Sequence, residues 1–292
     1  MPVHASMEEK RASINSYLAR LLVERYPATD GKARKLFESI SYSLMNGGKR
    51  IRPILTLAIS EQYGRAGDEV LAAACATELI HTASIMLDDL PSMDNATQRR
   101  GKPANHIVYG ESTTILAAVT LWSEAIRLLS AIPDAEMRDI IQNAVESMGG
   151  HGLARGQFLD LDSSQKSQTI EDLEECYYLK TAVLFEHAMK TGALLARAPV
   201  AEQKVFENVG RGIGLIFQIR DDILDAESTQ EMLGKDVGAD VRNERTTYVS
   251  LLGVAGAKNV LQEKITAVCD ELERLPFEAS LFISVVQSLK VT

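Results

Sequence analysis

From Val70 to Leu90 the apolar residues Leu71, Ala74, Cys75, Leu79, Ala83, Met86 and Leu87 fall three or four apart. That is the period of a helix, not of a strand. The run ends on carboxylates, Asp88-Asp89-Leu90-Pro91-Ser92-Met93-Asp94. A second apolar helical run, Ile213 to Ile219, leads into Asp221-Asp222-Ile223-Leu224-Asp225. Acids at the end of a buried helix are costly to desolvate and repel one another, so the fold has to supply something cationic at both places.

The rest of the chain must be compatible with that demand. Helix-period patterns run from Ser112 to Ser130, Glu136 to Met148, Asp172 to Ala196, Glu202 to Leu224 and Ala257 to Leu275, punctuated by only 8 Pro and 19 Gly. No Asn-Gly turn joins two alternating runs, so the expected class is all-α. Thr169 with Asp172 three later, and Asp134 after Pro133, read as N-caps, and the polar run Ser163 to Gln168 as a loop. With 292 residues, 46% of them apolar, and neither a Pro/Gly/Ser-rich linker nor a repeat, the expectation is a single domain over residues 1–292.

The net charge of −9 sets the chain's field against nucleic acid. Cys75, Cys176 and Cys269 form no CxxC pair, which fits buried thiols rather than zinc ligands or disulfides. The charged start MPVHASMEEKR is unlike a secretory signal, and no apolar run is read as a bilayer span, so a soluble cytoplasmic protein is expected.

Asp221 and Asp225 lie four apart, on one helix face. Pro91 forbids a continuing helix, so the chain must loop before Asp94 can return toward Asp88. Oxygen ligands without His or Cys beside them suit Mg²⁺, which shares its shell with substrate phosphates. Acidic doublets also occur on solvated helix ends. Against that stand the neighbouring cations: Lys49, Arg50 and Arg52 in Gly47-Gly48-Lys49-Arg50-Ile51-Arg52-Pro53, the pair Arg99-Arg100, and Lys235. Local cations beside paired acids in an acidic protein describe a metal-bridged diphosphate site.

The strings GGKRIRP (47–53), HTASIMLDDLPSMD (81–94), RRGKP (99–103), GQFLDLD (156–162), LKT (179–181), FQIRDDILD (217–225) and GKDVGAD (234–240) occur in that order. In them the chain resembles the trans-isoprenyl diphosphate synthases, in particular the short-chain farnesyl and geranylgeranyl enzymes, and among these the bacterial geranylgeranyl type. The resemblance implies a bundle of long helices around a central cavity, with the acidic motifs facing across its mouth. It implies three Mg²⁺ ions, with Asp88 and Asp94 taking two, Asp221 the third, and Asp225 and Asp89 near the shell. It places Arg99, Lys180 and Lys235 on the diphosphate of an allylic substrate (dimethylallyl, geranyl or farnesyl). Lys49, Arg52, His81 and Arg100 fall on isopentenyl diphosphate, and Thr181 and Gln218 beside the allylic cation. It further implies a homodimer.

The implied chemistry is ionisation of the allylic diphosphate, attack by the isopentenyl double bond and loss of a proton, with no protein nucleophile. Small residues one turn before the first motif, Ala83 and Ser84, leave room for a C20 product, geranylgeranyl diphosphate, with C15 farnesyl diphosphate as the alternative and a floor around Leu121 or Trp122 as the competing ruler. The chain departs from the family at Asn95 and Ala96, where further acids are usual, and at Arg245, where relatives carry Lys. A class I terpene cyclase would need Ser or Thr at 225 and Glu at 229, where this chain has Asp and Thr. A non-catalytic regulatory subunit would have lost the metal ligands that are present here.

Overall fold

The computed structural model describes residues 3–27, 29, 31–133, 136–162, 169–227 and 246–291. The helices are α1 (Val3–Arg25), α2 (Arg34–Leu44), α3 (Ile51–Gln62), α4 (Asp68–Asp88), α5 (Asn105–Tyr109), α6 (Glu111–Ser130), α7 (Met137–Met148), α8 (Leu153–Leu161), α9 (Ile170–Tyr177), α10 (Val183–Leu195), α11 (Val200–Glu227), α12 (Tyr248–Leu272) and α13 (Ser280–Gln287). The class is all-α, as the periodicity implies. The N-cap read at Thr169 is present, its Oγ1 accepting from the Asp172 backbone N–H at 3.2 Å. Asp134, Ser163–Gln168, Lys235, the 234–240 string and Arg245 lie outside the described residues.

Buried apolar side chains fall into two clusters. Ile14, Ile40, Leu79, Ala83, Leu121 and Ile140 belong to the first; Phe206, Ile216, Tyr248, Ile265 and Phe282 belong to the second. Helices α3 and α10 serve both: Ile54 and Leu184 face the first cluster, and Leu55 and Phe185 the second. The two are stitched together where Thr56 Oγ1 donates to Ala188 O at 2.8 Å and Ser60 Oγ to Gly192 O at 3.1 Å. Helix α4 is long and apolar enough to cross a bilayer by composition, yet two thirds of its apolar window is buried, with α6, α3 and α10 packed against it. It is a core helix whose last residue is Asp88.

Three local features depart from the expected pattern. A two-residue hairpin pairs β1 (Gln98–Arg99) with β2 (Lys102–Pro103), its turn made by Arg100 and Gly101 at φ 55° and 74°. Two successive positive φ values give the mirror-image turn that matches strand twist, reached here without an Asn-Gly pair. Helix α12 begins at Tyr248, ahead of the expected Ala257, and kinks at Gly253 (φ 70°). The run Asp172–Ala196 is not one helix, because a π-turn, Tyr178–Ala182, separates α9 from α10. Helical spacing alone carries no mark of one inserted residue.

Two glycines make that π-turn possible. A Cβ on Gly156 of α8 would stand 2.3 Å from the Lys180 backbone nitrogen, and one on Gly214 of α11 would stand 2.2 Å from the Ala182 Cα. Backbone closes on backbone at both points, so neither neighbour can yield. Gly214→Ala is expected to lower stability by about 1–3 kcal/mol, as overpacking does. Thermal unfolding will register it, and an unchanged unfolding temperature would contradict the packing described.

Candidate active site

Helix α4 ends at Asp88 because Pro91 follows, and the chain turns back on itself: the Asp94 N–H donates to the Asp88 carbonyl at 2.8 Å. The expected return of Asp94 to Asp88 is therefore built into the backbone. Asp88 and Asp94 are half-buried. Burial pushes the Asp88 carboxyl up to about 7; Lys180 and Arg99 oppose that rise, and Asp94 and Asp89 add to it. Asp89 is 2% exposed and turned inward, where the Arg99 guanidinium grips both its oxygens, Nε lying 3.0 and 3.3 Å away. Burial still raises its carboxyl above the usual range, against that hydrogen bonding.

A basic cluster stands beside this turn. Arg52 lies with its guanidinium carbon 3.9 Å from the Phe185 ring centroid and a nitrogen 3.4 Å from His81 Nε2. Burial lowers Arg52 to about 10, with Glu78 opposing and Arg100 assisting. His81 is held well below its ordinary value by burial and by Arg52, Arg100, Arg99 and Arg50, so its ring is neutral. Arg100 Nη1 donates to the Gly47 carbonyl at 2.6 Å. Burial lowers Arg100 as well, Glu78 opposing and Arg50 and Arg99 assisting. Arg50 is different: at φ 53° it is buried on Glu78 at 2.5 Å, Leu44 O at 2.6 Å and Asn15 Oδ1 at 3.0 Å. It fixes the loop between α2 and α3, which presents Lys49 at the surface and leads into the first turn of α3, where Arg52 joins the cluster.

The π-turn joins the two acidic motifs. Lys180 Nζ is 2.5 Å from Asp160 and 3.7 Å from Asp94, while the next residue, Thr181, donates from Oγ1 to Gln218 Oε1 at 2.7 Å. Gln218 precedes Asp221 by one helical turn on α11, so one dipeptide touches both sides of the candidate site. On α11, Asp221 and Asp225 are half-buried, as their shared face implies, and Asp222 between them is buried.

Arg99, Lys180, Asp88 and Asp94 thus come together, as do Arg52, His81 and Arg100, and Thr181 with Gln218. Ser84 is half-buried with its hydroxyl on the His81 carbonyl at 2.9 Å, and Ala83 is fully buried in the first apolar cluster. Sequence reasoning assigned no role to Glu78, Asp160 or Gln157, whose Nε2 lies 3.3 Å from Asp94. A signal existed for two of them, the GQFLDLD string that contains Gln157 and Asp160. Glu78, one turn before His81, reads as an ordinary helix acid until its burial is known.

A family model described as polyprenyl synthetase matches residues 33–274. The farnesyl diphosphate synthase of Bacillus subtilis strain 168 is 41% identical over 235 residues, covering 79% of each chain. The geranylgeranyl diphosphate synthase of Cyanophora paradoxa is 44% identical over 229 residues, 77% of this chain and 76% of that one. Among solved structures, the geranyltransferase of Helicobacter pylori complexed with magnesium and isoprenyl diphosphate superposes with a TM-score of 0.84 at 28% identity, covering 99% of this chain and 96% of that one.

A raised carboxyl binds its proton more tightly in the native state than in the unfolded chain. Its contribution to stability is complete below about pH 4 and is lost as the pH rises through about 7. Without metal, Asp88→Asn is therefore expected to raise the unfolding temperature more at pH 8 than at pH 5. Differential scanning calorimetry in the presence of a chelator checks this, and an equal rise at both pH values would contradict it.

Proposed function

This chain belongs to the polyprenyl synthetase family, the trans-isoprenyl diphosphate synthases, and as a trans-prenyltransferase, we propose, it extends allylic diphosphates with isopentenyl diphosphate as far as C20 geranylgeranyl diphosphate. We read residues 1–292 as one synthase domain. The observation that carries the reading is the Lys180-Thr181 dipeptide, which reaches Asp94 on one side and Gln218, one turn before Asp221, on the other. A diphosphate held there lies between both sets of acids and beside Arg99.

The donor set fits magnesium. Asp88, Asp94, Asp221 and Asp225 offer only oxygen. That is the pattern of a hard cation which keeps waters and takes substrate oxygens. Magnesium, three ions on our reading, supplies charge stabilisation of the departing diphosphate when bound.

The chain's own groups do the rest. Arg99, aimed by Asp89, and Lys180, aimed by Asp160, bind the allylic diphosphate, with Lys235 a third cation on this reading. Their fixed positions stabilise the charge that appears as the C–O bond breaks. Arg52, half-buried, and Arg100, more open to solvent, hold isopentenyl diphosphate with Lys49 at the rim. His81, neutral among arginines, donates a hydrogen bond to that diphosphate without adding to the local charge. The Thr181 hydroxyl and Gln218 amide, bonded to each other, present fixed dipoles to the allylic cation. The proton lost after condensation goes to the released diphosphate. The partner we propose for the protein is a second copy, seated on the exposed Ile107, Val108, Leu116 and Val119 of α5 and α6.

Product length turns on α4. Ser84 lies one turn below Asp88, Ala83 beside it is small, and one turn deeper the Trp122 indole donates to the Ile80 carbonyl at 3.4 Å. On this reading the small Ala83 and Ser84 put no bulky floor at this turn, which favours C20, with Trp122 the competing floor. The relatives carry both farnesyl and geranylgeranyl names, and C15 is the alternative.

Asp88→Ala and Asp221→Ala are each expected to lower turnover by about two orders of magnitude or more with the fold intact, since each removes charge stabilisation of the leaving group. Diphosphate release assays with circular dichroism decide this, and near-wild-type rates would overturn the metal assignment. Ala83→Tyr, with Ser84→Phe as a companion because Ala83 is packed in the core, is expected to move the main product from C20 to C15 while the first condensation persists. Chromatography of labelled products reads the shift, and C20 in unchanged proportion from both variants would remove this turn as the ruler.

A further inference from the structure

The middle acid of the second motif faces away from its neighbours. Asp222 is 6% exposed, and one oxygen, Oδ2, accepts from Tyr177 Oη at 2.7 Å and from the Tyr248 backbone N–H at 3.0 Å. Each donor sits at a joint of the candidate site. Tyr177 ends α9 and immediately precedes the π-turn that carries Lys180 and Thr181; Tyr248 is the first residue of α12. Tyr248 is fully buried, and its own hydroxyl donates at 2.5 Å to Glu174, which also receives Lys264 Nζ at 2.7 Å. The first motif repeats the arrangement: Asp89, next to Asp88, is turned inward onto Arg99.

We propose that Asp222 is a positioning residue and not a metal ligand: its carboxylate clamps the start of the π-turn and the start of α12 to the acidic face of α11. The spacing between Asp221, Lys180, Thr181 and the chain entering α12 is then set by one buried anion. A carboxylate suits this task because a charged oxygen holds the two converging donors more strongly than a neutral one, and a buried anion persists only where such hydrogen bonds replace water. An amide at this position can keep its one oxygen on both donors but loses the negative charge that strengthens both bonds. The inference rests on reading Asp221 and Asp225 as the metal-facing acids of this turn, and the test separates the two.

Asp222→Asn, Tyr177→Phe, their double variant and Asp221→Asn are compared by three measurements. These are calorimetric titration with Mg²⁺ in the presence of inorganic diphosphate, kcat and KM with geranyl diphosphate and isopentenyl diphosphate, and the unfolding temperature of the metal-free protein. Asp221→Asn should raise half-saturating Mg²⁺ by about a hundredfold with little effect on metal-free unfolding, as loss of a ligand does. Asp222→Asn should shift half-saturating Mg²⁺ by less than about fivefold, because a charge turned away acts only through the screened field. It should lower kcat by about tenfold and the metal-free unfolding temperature by about 3 °C. Tyr177→Phe, which alters no charge, should lower kcat in the same direction, and the double variant should be no worse than Asp222→Asn, because both remove one coupled contact. A shift in half-saturating Mg²⁺ from Asp222→Asn as large as that from Asp221→Asn, or a Tyr177→Phe effect that is absent or additive, overturns the proposal. If Asp221→Asn leaves the Mg²⁺ response unchanged, the metal reading falls, while the coupling of Asp222 to Tyr177 still decides the clamp.

Discussion

Carboxylates gathered at the ends of apolar helices are the constraint that the rest of the structure answers. Burial and neighbouring acids push Asp88 up to about 7, so the turn cannot hold full negative charge in the absence of a counter-ion. The chain relieves part of this itself. Asp89 is matched by Arg99, Lys180 reaches both Asp160 and Asp94, and Asp222 is covered by two donors. Asp88, Asp94, Asp221 and Asp225 are half-buried, the four acids that the proposed reading assigns to the metal. Each motif therefore sets one inward acid beside half-buried ones, Asp89 beside Asp88 and Asp222 beside Asp221. The doublets Asp88-Asp89 and Asp221-Asp222 achieve that division through the 100° step of a helix.

The basic cluster follows the opposite logic. Arg52, Arg100 and neutral His81 lie close together, and burial works against the charged form of each. Like charges held this close repel one another, so on the proposed reading an arriving diphosphate relieves the crowding as it binds. Glu78 is what keeps such a cluster folded. It pairs with Arg50 and opposes the loss of charge on Arg52 and Arg100, one buried acid serving three guanidinium groups.

Much of this is legible in the sequence, for a physical reason. Helix existence follows from the three-or-four spacing, and Pro91 tells that the chain must loop before Asp94 can return toward Asp88. What the sequence conceals lies where backbone meets backbone. The π-turn at Tyr178–Ala182 keeps ordinary helix formers, and the two glycines that admit it, Gly156 and Gly214, sit inside helices where a glycine reads only as a weak helix residue. The short hairpin at 98–103 escapes because its positive-φ turn uses Arg100, an uncommon residue there. Single-residue motifs likewise say that Asp222 is an acid beside two others; its inward direction depends on Tyr177 and Tyr248, which are distant in sequence.

The inserted residue of the π-turn explains how one dipeptide can serve both motifs. In a regular helix Lys180 and Thr181 would still point about 100° apart, but α9 and α10 would share one continuous register. The wider turn lets α10 follow the packing of α3 and α11 while Lys180 keeps to α8 and the first motif. Lys180 faces Asp160 and Asp94, and Thr181 faces Gln218, because the backbone between α9 and α10 changes register at that point. Such bulges in helices concentrate at functional sites because they aim side chains that a uniform helix cannot aim, at the expense of helical hydrogen bonds. Here that expense is offset by the close approach of α8 and α11 at Gly156 and Gly214 and by the Tyr177 hydroxyl on Asp222. The geometry of the candidate site is thus set less by the acidic residues themselves than by the packing that fixes the segment between them.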